Sequence, residues 1–305
     1  MASTGLFVGM VTLDLVYLST KLPSSNEKIT ASDYTVAAGG PATNAAVTFS
    51  YLGNIEVRPK GDLLALGGAH LSKILGVVGI NPITKLIRSD LTSHGVIIAD
   101  LDPANPQPPP VSSIIVTEST GDRAVISINA TKIQASTTQI PQDLDLMVDV
   151  VLIDGHQMVV SNAIAKFAKT HHIPVVIDGG SWKPGFETIL PYVDYAICSA
   201  NFYPPGCCGQ QEVMAYLLDA GIPHIAITQG EKPIQYRSLG VSGEVPVPQI
   251  QAVDTLGAGD VFHGAFCHYI LQKEFTDALG AAAKVATNSC QFFGTRRWME
   301  KDIEN

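Results

Sequence analysis

The residue types and spacing best suited to chemistry lie near the C-terminal end, in Asp254-Thr255-Leu256-Gly257-Ala258-Gly259-Asp260. Gly257 and Gly259 permit a sharp turn and a close approach of a ligand to the main chain. The run Val261-Phe262-His263-Gly264-Ala265-Phe266 that follows reads as a helix continuing to about Gln272. The first amides of a helix have no internal partner, and the macrodipole adds positive potential there. Such a turn suits a phosphate or a developing negative charge. Asp260 stands in the first helical turn, where the dipole favours the ionised carboxylate. Beside a substrate hydroxyl it would act as general base, while the amides of Gly257, Ala258 and Gly259 receive a phosphoryl group. Phosphoryl transfer asks for little beyond such positioning and charge stabilisation. The same residues also make an ordinary helix start, with Asp260 as a favourable N-terminal charge.

These residues must be held by a scaffold, and the sequence reads as an α/β one. From Leu144 onward, apolar runs of strand length alternate with amphipathic helices: Val148 to Asp154, a helix over 161–171, Pro174 to Asp178, Tyr195 to Cys198, a helix over 211–220, and His224 to Thr228. This pattern predicts a mostly parallel sheet covered by helices on both faces. Right-handed crossovers then gather the strand C-termini on one edge, with Asp154, Asp178, Ser199 and Thr228 along it. Leu6-Phe7-Val8 reads as a first strand, with Gly9 and Asp14 after it. Asp14 on its own could equally cap a turn. Gly39-Gly40-Pro41 precedes an Ala-rich helix that carries Asn44 and runs to about Leu52. Another helix is expected over 82–93, and a further one from Phe275 to about Phe293. Residues 57–74 fit neither a helix nor a loop clearly.

Alternation within 16–36 and in 111–128, the latter turning near Thr120-Gly121-Asp122, predicts short strands and a hairpin. Together these would form a small β-sheet lid on a single domain, built from about 15–37 and 96–131. Arg123 on the hairpin is placed to reach substrate or phosphate, or simply to lie in solvent. His156 on the active edge reads as a hydrogen-bonded structural residue more readily than as a sugar contact.

The chain has 305 residues, 46% hydrophobic content, a mean hydropathy of +0.21 and a net charge of −9. That balance argues against nucleic acid or an anionic membrane surface as a partner, since both require a basic face. No apolar run reaches the length of a membrane span, and the N-terminal residues lack a signal-peptide pattern. A cytoplasmic location is expected. The five cysteines form no Cys-x-x-Cys pair and are expected to be free thiols. No His/Asp/Glu spacing suggests zinc.

The string from Asp254 to Asp260, with Gly39-Gly40-Pro41 and Asn44, resembles the two signatures of the ribokinase-like (PfkB) carbohydrate kinase family. The resemblance covers nearly the whole chain. It implies a ribokinase-like fold and an ATP-dependent kinase acting on a small sugar, with magnesium accompanying the nucleotide. It implies that Asp260 is the base and that Gly257, Ala258 and Gly259 form the anion hole. Asp14, Gly39, Gly40 and Asn44 would contact the sugar, and Thr228 and Gly230 the nucleotide. Asn288 would border the adenine, and Asp254 and Thr255 a monovalent-cation site for potassium. A homodimer formed through the lid is also expected. One departure stands out: where many members have Asn-x-x-Glu, with the Glu ordering magnesium, this chain has Asn201 followed by Pro204. That departure keeps open a kinase-fold sensor with little turnover, and the undecided substrate keeps open a nucleoside kinase. Few cations lie in the lid segments (Lys21, Lys28, Arg123, Lys132), which favours an unphosphorylated substrate.

Overall fold

The computed structural model describes residues 3–57, 70–128 and 134–300. Thirteen strands among them form two sheets. In chain order the strands are β1 (Thr4–Val8), β2 (Thr12–Ser19), β3 (Asp33–Gly39), β4 (Leu71–Gly76), β5 (Val96–Asp100), β6 (Val111–Thr117) and β7 (Arg123–Ser127). Then come β8 (Val150–Ile153), β9 (Val175–Gly179), β10 (Tyr195–Ser199), β11 (His224–Gln229), β12 (Lys232–Ser238) and β13 (Val241–Val245). The α-helices are α1 (Pro41–Val57), α2 (Thr84–Ser93), α3 (Met158–Thr170), α4 (Phe186–Ile189), α5 (Gln210–Asp219), α6 (Ala258–Ile270) and α7 (Phe275–Ser289).

The larger sheet has the order β13-β12-β11-β10-β9-β8-β1-β4-β5. From β11 to β5 every pairing is parallel; β12 runs antiparallel to both of its neighbours, β11 and β13. Its strands are apolar on both sides because both faces are buried. Phe7, Ile74, Val176, Ile197 and Ala226 point into one core with α1, α6 and α7. Their neighbours Leu6, Val8, Val175, Ile177, Ala196 and Ile225 point into the other, with α3, α4 and α5. A side-chain period of two thus divides each strand between two cores. The first face is closed largely by small residues of α1 (Ala42, Ala45, Ala46) against α6, with Phe49 fully buried. Truncating such a phenylalanine costs about 3–5 kcal/mol.

The smaller sheet has the order β3-β2-β6-β7, with β2 and β6 parallel and the outer pairs antiparallel. It corresponds to the expected lid, with one correction to its extent. β5 pairs in parallel with β4, Ser72 opposite Val96, and belongs to the larger sheet; residues 96–100 are therefore not lid. β2 also begins at Thr12, so Asp14 is a lid residue and not part of the main sheet edge. Two further differences concern neighbouring elements. α1 extends to Val57, and β4 begins at Leu71; most of the ambiguous stretch 57–74 lies outside the described residues. The hairpin β12–β13 was not anticipated, because Pro233 and Gly243 interrupt its apolar pattern.

Candidate active site

The turn into α6 is built by Gly257, the residue preceding the helix, which adopts φ +71°. That left-handed conformation disfavours a side chain, and a Cβ there would also meet Thr295 at 2.8 Å. Ala258 N donates a long hydrogen bond to Thr255 O, 3.3 Å. Among the described residues, the N–H groups of Gly257 and Gly259 meet no protein acceptor. The terminus thus carries unsatisfied donors at the positive end of a 13-residue helix.

Asp260 occupies the first turn of that helix. Its Oδ2 accepts a hydrogen bond from Asn44 Nδ2, 2.8 Å. The expectation that the helix dipole keeps this carboxylate readily ionised is corrected by its surroundings. Desolvation by its surroundings and the neighbouring Asp178 charge push its pKa up to about 7, against the opposing effects of Asn44 and His263. Asp178, at the end of β9, is itself buried and its pKa is raised by that burial. His263, one turn along α6, lies between them: its Nδ1 is 2.7 Å from Gly259 O and 3.3 Å from Asp178 Oδ2. Its Nε2 is 3.1 Å from Ile197 O on β10. A carboxyl whose pKa lies near neutral is matched to general-base work at physiological pH.

On the other side of Asp260 stand α1 and the lid. Asn44 lies in the first turn of α1 and Asp14 on β2. Burial raises the Asp14 carboxyl above its usual range, opposed by the hydroxyls of Thr12 and Ser112 and by the Arg296 charge. Gly39 packs directly against it: a Cβ at Gly39 would sit 2.0 Å from Asp14 Oδ2. Gly40, at φ +103°, lies against Met10 O. Asp14, Gly39, Gly40 and Asn44 are thus gathered as a polar group beside Asp260, with hydrogen-bonding capacity suited to hydroxyls. Asp154 reinforces it from the main sheet, its Oδ2 accepting Met10 N at 2.9 Å and Ala42 N at 3.2 Å. His156 is hydrogen-bonded to Asp154 Oδ1 at 3.1 Å.

Beyond the α6 turn opens a cavity of about 350 Å³. Ala258 and Gly259 form part of its wall, with Thr228, Gly230 and Thr255. The rest is mainly apolar, including Ile234, Val247, Ile250, Phe262, Ala283 and Ala286. An apolar slot that ends on free helix amides fits a flat base joined to a phosphate chain. Asn288 does not reach this wall; it is exposed, and Thr287 and Cys290 from the same helix end face the cavity instead.

Arg123 is set apart from Asp14 and Asn44. Its Nη1 donates to Thr255 Oγ1 at 2.7 Å, so the lid hairpin touches the loop that leads into the α6 turn. Asp254 is buried and its carboxyl accepts Leu256 N and Gly294 N, both at 2.8 Å; burial raises its pKa. Pro204 is buried in a turn and offers no carboxylate. Among the described residues no group of three or more His, Cys, Asp or Glu is arranged to hold a metal. One residue of this region escaped the sequence reading. Arg296, buried behind Asn44, donates to its Oδ1 at 2.9 Å.

Comparison with known proteins gives one consistent picture. The pfkB family carbohydrate kinase pattern matches residues 5–302. The chain is 22% identical to a ribokinase of Bacillus subtilis, covering 96% of this chain and 94% of that one. It is 25% identical to a deoxyribokinase of Salmonella typhi, covering 89% and 87%. The solved structure of Arabidopsis thaliana ribokinase complexed with ribose and ATP superposes with a TM-score of 0.72 over all of both chains, at 21% identity. The two-sheet fold described above is therefore ribokinase-like.

Proposed function

Because the chain belongs to the pfkB family of carbohydrate kinases, we propose that it transfers the γ-phosphoryl group of ATP to a hydroxyl of a small unphosphorylated sugar. Asp260 accepts the proton as the hydroxyl oxygen attacks phosphorus in line. One P–O bond forms to the sugar as the bond to the ADP oxygen breaks. The Gly257 and Gly259 amides, assisted by Ala258, receive the charge that spreads over the transferring group. The observation that carries this reading is the placement of Asp260: a carboxyl with a pKa near 7, next to unsatisfied helix amides, between that polar group and an apolar cavity.

Asp14, Gly39, Gly40 and Asn44 would bind the sugar, and Thr228, Gly230 and Thr287 the nucleotide, with Arg123 closing the nucleotide mouth. Magnesium would arrive with ATP and neutralise phosphate charge. Pro204 supplies it no ligand, so phosphate oxygens and water are its natural partners. Potassium would sit beside Asp254 and Thr255. Localisation in the cytoplasm accords with an ATP-dependent reaction; among the described residues no helix is long and apolar enough to cross a membrane. The outward face of the lid, with Tyr34 66% and Ile126 75% exposed, is where a second copy would dock.

Pro204 also favours a second reading, a sugar-binding sensor with little turnover. A coupled ATP-consumption screen over sugars, phosphosugars and nucleosides, with and without potassium, separates the two. Turnover on a free sugar supports the kinase, and turnover only on nucleosides or phosphosugars overturns the substrate class. Sugar binding without turnover leaves the sensor. The mass of the protein in solution tests the second copy.

A further inference from the structure

Arg296 is only 8% exposed, yet its guanidinium joins four segments. Nη1 donates to Asn44 Oδ1 at 2.9 Å and to Thr295 Oγ1 at 3.1 Å. Nη2 donates to Ala38 O at 2.7 Å and to Asp90 Oδ2 at 3.1 Å. Asp90 Oδ2 in turn accepts Ala38 N at 3.0 Å. Both backbone polar groups of Ala38 are thereby gripped, one residue before Gly39. Burial works against the Asp90 charge, but His94 and Arg296 outweigh it and hold the carboxyl below the usual range.

The consequence for Asn44 follows from donor and acceptor inventories. A carboxamide can present its oxygen or its NH₂ to a given neighbour by turning half a revolution. A guanidinium has donors only, and an ionised carboxylate has acceptors only. Asn44 lies between one of each. With its oxygen on Arg296, its NH₂ must face Asp260, where Nδ2 stands 2.8 Å from Oδ2. The turned amide would set N–H against N–H on one side and oxygen against oxygen on the other. Arg296 therefore decides which way the amide points.

We propose that Arg296 is a positioning residue for the base: through Asn44 it fixes a donor on Oδ2 of Asp260, leaving Oδ1 to take the substrate proton. The same guanidinium locks the Ala38 joint that presents Gly39 and Gly40. This inference rests on Asp260 being the base. A lysine would keep the charge but lose the planar fork needed to serve Asn44, Ala38 and Asp90 together.

The test is Arg296→Lys, read in two ways. The kcat is expected to fall about tenfold or more while the KM for ATP stays unchanged. In a carbon-13 carboxyl NMR titration, with Asp260 assigned by comparison with Asp260→Asn, its midpoint is expected to move up by about half a pH unit or more, because the Asn44 donor favours the charged form. The charged groups facing Asp260 are Asp178 on β9, His263 on its own helix and Asp14 on β2, and the variant changes none of them. Adding Asn44→Ala to the variant should produce no further upward shift. A wild-type kcat with an unmoved Asp260 midpoint overturns the proposal, as does a loss of thermal stability with kcat and midpoint unmoved. If Arg296→Lys does not fold, Asp90→Asn, which removes the charged anchor of the guanidinium, should move the midpoint in the same direction, and no movement overturns it. The titration needs no turnover: in a wild-type protein inactive toward every substrate the kinase reading and the role of base fall together, while the midpoint still reports whether Arg296 orients Asn44 on Asp260.

Discussion

Asn44 and Asp260 are 216 residues apart in the chain, and they meet through a 2.8 Å hydrogen bond between the first turns of α1 and α6. The bond joins the two segments that resemble the family's signatures and ties Asn44 of the polar group to Asp260. Replacing Asn44 by Ala removes the donor and one member of the polar group. The expected outcome is a loss of kcat of about tenfold to a hundredfold with a raised sugar KM, while the ATP KM changes little. Steady-state kinetics with each substrate varied in turn checks this.

Arg123 makes the corresponding contact on the cavity side, where the lid hairpin reaches Thr255. The arginine is exposed, so its charge is screened and its effect is modest. Arg123→Ala should raise the ATP KM by about threefold to tenfold and leave the sugar KM near its original value. A rise confined to the sugar KM would place Arg123 at the other half of the cleft.

The raised pKa of Asp260 gives two pH dependences of opposite sense. As a base it must be ionised, so kcat/KM should fall as pH drops through about 7. Stability runs the other way. The folded protein holds the proton more tightly than the unfolded chain, whose aspartates titrate near 3.8. The contribution is fully present below the unfolded pKa and is lost as pH rises through about 7. Asp260→Asn, which carries no charge at any pH, should therefore be more stable than wild type at pH 8, by up to about 4 kcal/mol, with the gap closing toward pH 4. Urea unfolding at both pH values measures it, and a gap that widens in acid contradicts the account.

Much of this site was legible in the sequence because its parts are local. The turn Gly257-Ala258-Gly259-Asp260 and the start at Gly39-Gly40-Pro41 are encoded by neighbouring residues with strong backbone preferences. The parallel sheet was legible because strands buried on both faces become unbroken apolar runs. What the sequence did not disclose depends on contacts between distant segments. Arg296 follows a helix as one of two adjacent arginines, and nothing local distinguishes it from Arg297. Yet Arg296 is buried against Asn44, whereas Arg297 is partly exposed and pairs with Asp33. Asp260 read as an ionised helix-start residue until Asp178, 82 positions earlier in the numbering, came to lie beside it. Asn288 and Thr287 are adjacent in sequence, and only the rotation of α7 decides that Thr287 faces the cavity.

The central claim is that Asp260 removes the proton of the substrate hydroxyl. Asp260→Asn preserves size and shape and can still accept from Asn44, so it isolates the base. Assayed at saturating sugar and ATP, the variant should lose about a hundredfold to a thousandfold or more in kcat, with ATP binding measured by calorimetry little changed. Full turnover by Asp260→Asn would contradict the account.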